Sequence, residues 1–308
     1  MAKKLGVIVF IASCIALIVV GNSYLKESGM LKKYPDAEYF SDEEAECRPI
    51  YETLTDKEKA VYFALYNGIL EKKEEIELPH EINGDTYSKI YCILEKQESA
   101  LFYLDSTYYV AQRIRDAQIE YREKDDEDAQ QELENAKNAA IMEIGNSSDE
   151  YEIALNIHDY IVANCRYITG ENAKYSSTSY GCLVEREANC EGYAKAFDLL
   201  ADECGLKSIL VTGTTDKGEN HAWNQVEING NWYNIDVTWA DSDIEGEVRR
   251  AYFLSNDDSF NKTHYADNLY FKPFECDSDR DNYYVRNDLL ATSENEAKRI
   301  IRRQLSEN

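Results

Sequence analysis

Three residues in the second half of this 308-residue chain could together carry out covalent chemistry. They are Cys190 in Asn189-Cys-Glu-Gly-Tyr-Ala194, His221 in His221-Ala-Trp223, and Asp236 in Trp232-Tyr-Asn-Ile-Asp-Val-Thr-Trp239. A thiol supplies a nucleophile and an imidazole the base that takes its proton, while a carboxylate fixes the imidazole's tautomer. Each residue alone reads as a packing or surface residue. The chemistry depends on whether the elements around them bring all three to one place.

The spacing of apolar residues supplies those elements. Tyr193, Phe197, Leu200 and Cys204 recur on one helical face, and Gly205 is a stop signal. Cys190 then begins the helix, where unpaired amides and the positive dipole end favour thiolate and can bind an oxyanion. Ser208 to Thr212 predicts a strand. Asn229-Gly230 between alternating apolar residues predicts a hairpin with a two-residue loop. That register pairs Ile228 with Asn231, Trp223 with Asp236 and His221 with Thr238. His221 and Asp236 become diagonal neighbours on one face, with Cβ atoms about 7 Å apart or less. Trp223 and Thr238 are candidates for lining a cleft there. Ala222, Val226, Ile228, Tyr233, Ile235 and Val237 form the opposite face, read as the core face.

These three blocks, in the order cysteine, histidine, aspartate, resemble the transglutaminase-like superfamily, whose members share a papain-type fold. The likeness is strong from about Ser147 to Trp239. It extends more weakly to about Val285 through Tyr252-Phe-Leu-Ser255 and Tyr283-Tyr-Val285. It implies an α+β core, in which the nucleophile helix packs on an antiparallel sheet carrying histidine and aspartate. The region before it resembles the mainly helical extension of many bacterial secreted members. Two positions depart from the family pattern. Asn189 stands where a small apolar residue is commoner, and no tryptophan precedes Cys190 to donate to an oxyanion as in the animal enzymes. Tyr180 is the candidate for that second donor beside the Cys190 amide, or else its ring only lines the cleft.

The resemblance implies attack of the thiol on a carboxamide or peptide carbonyl of a protein or peptide substrate, giving a thioester. Water as acceptor makes a protease or deamidase, and a lysine amine makes a cross-linker; nothing in the sequence chooses. The competing class is a non-catalytic cell-surface binding or scaffold module that keeps the fold. Degenerate members usually lose a triad residue, whereas Cys190, His221 and Asp236 are all present. Thiol–disulfide exchange would call for a C-x-x-C pair, which the chain lacks. No cofactor or metal is expected. Close Cys or His spacing for zinc is missing, and Asp125-Asp126-Glu127-Asp128 lacks the alternating ligands of a calcium loop.

Lys and Arg total 33 against 59 Asp and Glu, so a net charge of -26 repels phosphate backbones and excludes nucleic acid as a partner. Lys3 and Lys4 precede an uncharged run, Leu5 to Gly21, intermediate in length between a signal-peptide core and a spanning helix. The chain from about Asn22 is expected outside the cell or at its surface. The run is either cleaved near Val19-Val20-Gly21 or kept as a single anchor, which would give N-terminal membrane association. Lipidation at Cys14 is a weaker alternative, because Ile15 to Val20 continue the apolar run beyond it. Cys47, Cys92, Cys165, Cys182, Cys190, Cys204 and Cys276 remain, an odd number that suggests up to three bridges and one reactive thiol.

The expected organisation is a leader over 1–21, a spacer over 22–50, a mainly helical region over 51–146, the transglutaminase-like domain over 147–290 and a C-terminal helix over 291–308. Thr55 with Glu58 makes a capping box for a helix through Val61, Leu65 and Ile69 that lasts until Pro79. Tyr87 to Leu94 is apolar-periodic and leads into extended Ala100 to Leu104 and Thr107 to Val110. Asp125 to Ile144 predicts a long, largely exposed helix. Ser147 with Glu150 caps another that ends near Cys165 and holds His158 as a structural histidine. Ser293 with Glu296 caps the last, up to Leu305.

Overall fold

The computed structural model describes residues 33–122, 127–169, 174–241 and 248–307. The run from Leu5 to Gly21, with Cys14 in it, lies outside the described residues. Among the described residues no helix is long and apolar enough to cross a membrane.

The second half of the expected spacer is part of the fold. Phe40 is buried with its ring 5.0 Å from those of Tyr51, Phe63 and Tyr66. A single aromatic anchor in a polar stretch carries no periodicity, which is why the sequence reads as a tether there. Short helices α1 (Asp42–Glu46) and α2 (Pro49–Glu52) follow. Helix α3 (Asp56–Leu70) opens on the Thr55/Glu58 capping box with both reciprocal bonds made. It ends well before Pro79, which instead lies in strand β1 (Glu75–Asn83), where Ile76, Leu78 and Ile82 are buried. After α4 (Gly84–Gln97) come β2 (Leu104–Tyr108) and β3 (Arg113–Tyr121), and the three strands form an antiparallel sheet in the order β1-β3-β2. The helical N-terminal region thus also carries a small sheet. β3 escapes a reading by alternation because its buried residues, Ile114, Ala117 and Ile119, break period two beside a bulge in the β1 pairing.

Helix α5 (Glu127–Ile144) buries the stripe Ala129, Leu133, Ala140 and Ile144, so one face is core even though the rest is solvated. Helix α6 (Glu150–Asn164) is capped by Asp149, whose Oδ1 accepts from the Tyr151 amide at 3.0 Å, and not by Ser147. Short β4 (Arg166–Tyr167) and β5 (Glu187–Ala188) pair in parallel on either side of a π-turn at Gly181–Glu185.

Helix α7 (Cys190–Glu203) then packs on a four-stranded antiparallel sheet of β6 (Ser208–Thr215), β7 (Asn220–Ile228), β8 (Asn231–Ile235) and β9 (His264–Ala266), ordered β8-β7-β6-β9. Asn229 and Gly230 form the expected turn with φ of 51° and 77°, and Ile228 pairs with Asn231. Both faces of β7 are buried, not one. Asn224 reaches the Ala194 carbonyl of α7 at 3.0 Å, while Gln225 on the other face reaches the Phe274 carbonyl at 3.0 Å. The chain after Val248, with α8 (Asp257–Phe260) and α9 (Tyr283–Arg286), covers that second face. The chain closes on α10 (Glu294–Glu307). All seven described cysteines are free, against the expectation of bridges. Cys190 and Cys204 stand at opposite ends of α7, Cys165 and Cys182 are neighbours, and Cys276 is buried under β7 beside Gln225.

Candidate active site

Cys190 is the first residue of α7 and is half-buried. Asn189 caps the helix: its Oδ1 accepts from the amides of Glu191 at 3.0 Å and Gly192 at 3.2 Å. That accounts for an amide side chain where the family more often has a small apolar one. The cap's two bonds go to the amides of Glu191 and Gly192 and not to that of Cys190. Gly192 permits the close seating of this helix. A Cβ there would lie 2.3 Å from the Ser176 carbonyl oxygen and 2.8 Å from the Ala188 Cβ.

A largely buried ion network ties α7 to the N-terminal region. Glu191 meets Lys96 of α4 at 2.6 Å and Lys195 at 3.0 Å, and Lys195 meets Glu95 at 2.7 Å. Burial pushes the Glu95 carboxyl up, but the two lysines outweigh it and hold it down at about 2. Next to the network, Gln97 bonds the Leu210 carbonyl at 2.9 Å, and Ser99 donates to Asp198 at 2.7 Å. Burial pushes Asp198 up to about 7.

His221 opens the sheet side of the site. It pairs with Gly213 of β6, and its Nε2 lies 2.9 Å from Oδ2 of Asp236. Burial opposes charge on this imidazole, yet its hydrogen bonds to Asp236 and to Cys190 outweigh that and push it up to about 10. With Nε2–H committed to Asp236, Nδ1 is the nitrogen left to take the thiol's proton. Asp236 is 1% exposed, and its hydrogen bonds to two histidines hold its carboxyl below the usual range against the effect of burial. Its Oδ1 accepts the Trp239 amide at 3.1 Å.

The second histidine is His264 on β9, whose Nε2 lies 3.1 Å from the same Asp236 oxygen. Sequence reasoning gave no sign of it. It follows Asp236 by 28 residues, beyond the strong part of the family likeness, and no periodic pattern singles it out. Among the described residues, His221, Asp236 and His264 bring one ligand-type atom each within 4.8 Å of one another. Both imidazole nitrogens converge on one oxygen at hydrogen-bond distance, a geometry that two N–H donors complete without a cation.

The remaining candidates lie elsewhere. Tyr180 is buried, stacked on Phe102 at 4.9 Å, and its hydroxyl donates to Glu132 of α5, so it is not aimed at an oxyanion beside Cys190. Trp223 is 3% exposed on the face of β7 that it shares with His221, its ring 6.3 Å from that imidazole, 5.7 Å from Phe260 and 5.3 Å from His264, and it forms no wall of the cleft at Cys190. Thr238 is not opposite His221. Pairing of β7 with β8 stops at Asn224↔Ile235, and the chain then turns, with the Trp239 amide donating to Asp236 Oδ1 at 3.1 Å and the Asp241 amide to the Thr238 carbonyl at 3.2 Å. His158 is fully buried; its Nδ1 meets Asp159 at 2.9 Å and Arg250 at 3.0 Å, a structural setting in which burial lowers its pKa.

Cys190 and His221 share an open cleft of about 590 Å³ whose walls include Tyr167, Thr169, Asn189 and Thr212. A helix N-terminus, a thiol, an imidazole and its orienting carboxylate at one cleft can form and break an acyl–sulfur bond.

Residues 135–237 match the model of the transglutaminase-like superfamily. Kyphoscoliosis peptidase of Mus musculus is 29% identical over 28% of this chain, and that of Homo sapiens is equally similar. The match spans only 16% of either relative. Among solved structures, a candidate cysteine protease from Cytophaga hutchinsonii is 25% identical with a TM-score of 0.31, covering 40% of this chain and 46% of that one. With Cys190 and His221 at one cleft and Asp236 behind the imidazole, residues 135–237 resemble a domain of the transglutaminase-like superfamily.

Proposed function

We propose that this chain is a thiol acyl-transfer enzyme acting on protein or peptide amides, with Cys190 as nucleophile, His221 as base and Asp236 as its orienting group. The observation that carries this reading is the His221 imidazole bonded to Asp236 at a cleft that it shares with Cys190. In the first half-reaction the thiol's proton passes to His221 Nδ1 and the sulfur attacks the amide carbonyl. The C–N bond then breaks, and the departing amine takes the proton from His221, leaving a thioester. In the second, water or an amine gives a proton to His221 and attacks the thioester, and the thiol leaves with that proton. The Cys190 amide at the start of α7 supplies a donor for the developing oxyanion.

The lysine-flanked apolar run at the N-terminus supports a domain working outside the cytoplasm on extracellular or surface proteins. External protease should then digest it in intact cells, and protection until lysis refutes this part of the reading.

The test of the chemistry is intact-mass analysis after incubation with glutamine-containing peptides, with and without an added primary amine. An adduct on Cys190, and products that change with the amine, support acyl transfer and identify the acceptor. A folded protein with an inert Cys190 supports instead a binding module that keeps the fold.

A further inference from the structure

His264 occupies a place that packing alone does not explain. Its ring is fully buried among aromatic residues, stacked on Phe260 at 3.9 Å with Trp239 at 4.5 Å and Tyr252 at 5.3 Å. An apolar side chain would suit such a cage, because burying an imidazole costs free energy unless its nitrogens are bonded. Both are. Nδ1 lies 2.9 Å from the Thr263 hydroxyl, and Nε2 lies 3.1 Å from Oδ2 of Asp236. The fold makes room for this convergence: His221 on β7 and His264 on β9 flank β6, with ring centroids 5.5 Å apart. Gly213 of β6 pairs with both His221 and Ala266, and a Cβ there would lie 2.1 Å from the Tyr265 carbonyl and 2.8 Å from the Trp223 ring.

We propose that His264 is a positioning residue for the acyl-transfer centre: its Nε2–H and that of His221 grip the same Asp236 oxygen, and this second grip fixes the carboxylate that orients the base. The proposal rests on the acyl-transfer reading above. With the Trp239 amide on Oδ1, the carboxylate accepts three donors and has no freedom to rotate away from His221. The other titratable groups facing this carboxylate are Cys190 through His221, Tyr167 on the cleft side, His158 of α6 and Tyr252 beside His264. None of these is bonded to its oxygens in the way His264 is. Loss of the second donor leaves the carboxylate more basic and more mobile, so the imidazole is aligned on the thiol over a narrower pH range.

The experiment uses the full chain as wild type, His264→Gln and His264→Leu, and measures the rate of Cys190 alkylation by iodoacetamide from pH 5 to 9 by intact mass, beside thermal melts. The wild-type arm tests the acyl-transfer reading by itself: labelling no faster than an unfolded control refutes that reading whatever the variants do. Given fast wild-type labelling, His264→Leu should label about ten-fold slower at pH 7, since a displaced catalytic group can cost up to about a hundred-fold. Its half-maximal pH should move upward. His264→Gln, whose amide N–H can reach the same oxygen, should recover most of the rate. A folded Leu variant with the wild-type rate and pH profile overturns the proposal, as does a Gln variant as slow as Leu. Long-range ¹H–¹⁵N spectra of the wild type give a second readout that needs no variant to fold: His264 should carry its proton on Nε2, and a bare Nε2 overturns the proposal.

Discussion

The Nε2 of His221 lies 2.9 Å from Oδ2 of Asp236 even though β8 stops pairing with β7 at Ile235, one residue before that aspartate. The hairpin register brings the two close, and the turn after Ile235 aims the carboxylate. Asp236→Asn should therefore keep the fold and lower kcat/KM by about ten- to ten-thousand-fold, a wide range because a thiol depends less on its base than a hydroxyl does. Thr238→Ala should stay within about two-fold of wild type, since Thr238 is neither paired opposite His221 nor part of the Cys190 cleft. Steady-state kinetics with circular dichroism on both variants make the check. Full activity in a folded Asp236→Asn protein would refute the orienting role.

Cys190 should be the first cysteine to react with iodoacetamide at pH 7. Burial pushes the thiols of Cys47, Cys182, Cys204 and Cys276 up, whereas Cys190 is half-buried at an open cleft that it shares with His221. Peptide mapping after brief labelling decides, and preferential modification of Cys47 or Cys204 counts against it. Cys190→Ala should abolish turnover altogether.

The charge on His221 should show in the pH dependence of stability. Its folded pKa, about 10, lies above the value of a free imidazole. The stabilisation is then fully present below about pH 6.5 and is lost as pH rises from there through about 10. Thermal melts of wild type and His221→Gln between pH 6 and 11 should show a gap that closes toward the alkaline end. A gap that widens with pH reverses the sign and defeats the assignment.

Lys195 and Glu95 are both nearly inaccessible, at 6% and 5% side-chain exposure, so Lys195→Met should destabilise by about 3 kcal/mol by leaving carboxylates underpaired. The loss is held toward the lower end because Lys96 still lies 3.0 Å from Glu95. The double variant Glu95→Leu/Lys195→Met should cost less than the single one. Urea titration measures both, and a double variant worse than Lys195→Met would mean that the pair contributes net stability beyond mutual neutralisation.

Gly192→Ala should lower stability by about 1–3 kcal/mol, the range for forcing atoms into a packed site. It should also slow Cys190 alkylation, because the added Cβ collides with the backbone carbonyl of Ser176 and displaces the start of α7. Normal alkylation in a destabilised variant would separate the seat of the helix from the reactivity of its thiol.

Local sequence determined a good deal of this protein. The helix after Asn189 begins and ends where its apolar spacing and Gly205 indicate, and the Asn229-Gly230 turn sets a register that the structure reproduces from Ile228↔Asn231 to Asn224↔Ile235. These features are legible because helix periodicity, caps and two-residue turns act over a few residues. The exceptions mark where distant segments take over. Residues 252–255 bond the outer edge of β8 and the chain turns after Ile235, so Thr238 is not paired opposite His221. Trp223 is buried because the chain after Val248 covers a face that alternation alone leaves open to solvent. Tyr180 gives its hydroxyl to Glu132, 48 residues earlier in the chain. His264 comes to Asp236 only through the pairing of β9 with β6 on the far side of the sheet, and Lys96 comes to Glu191 only through the docking of α4 against α7. Such contacts between remote segments leave no periodic trace, since they depend on which surfaces the finished core brings together and not on the spacing of neighbours along the chain.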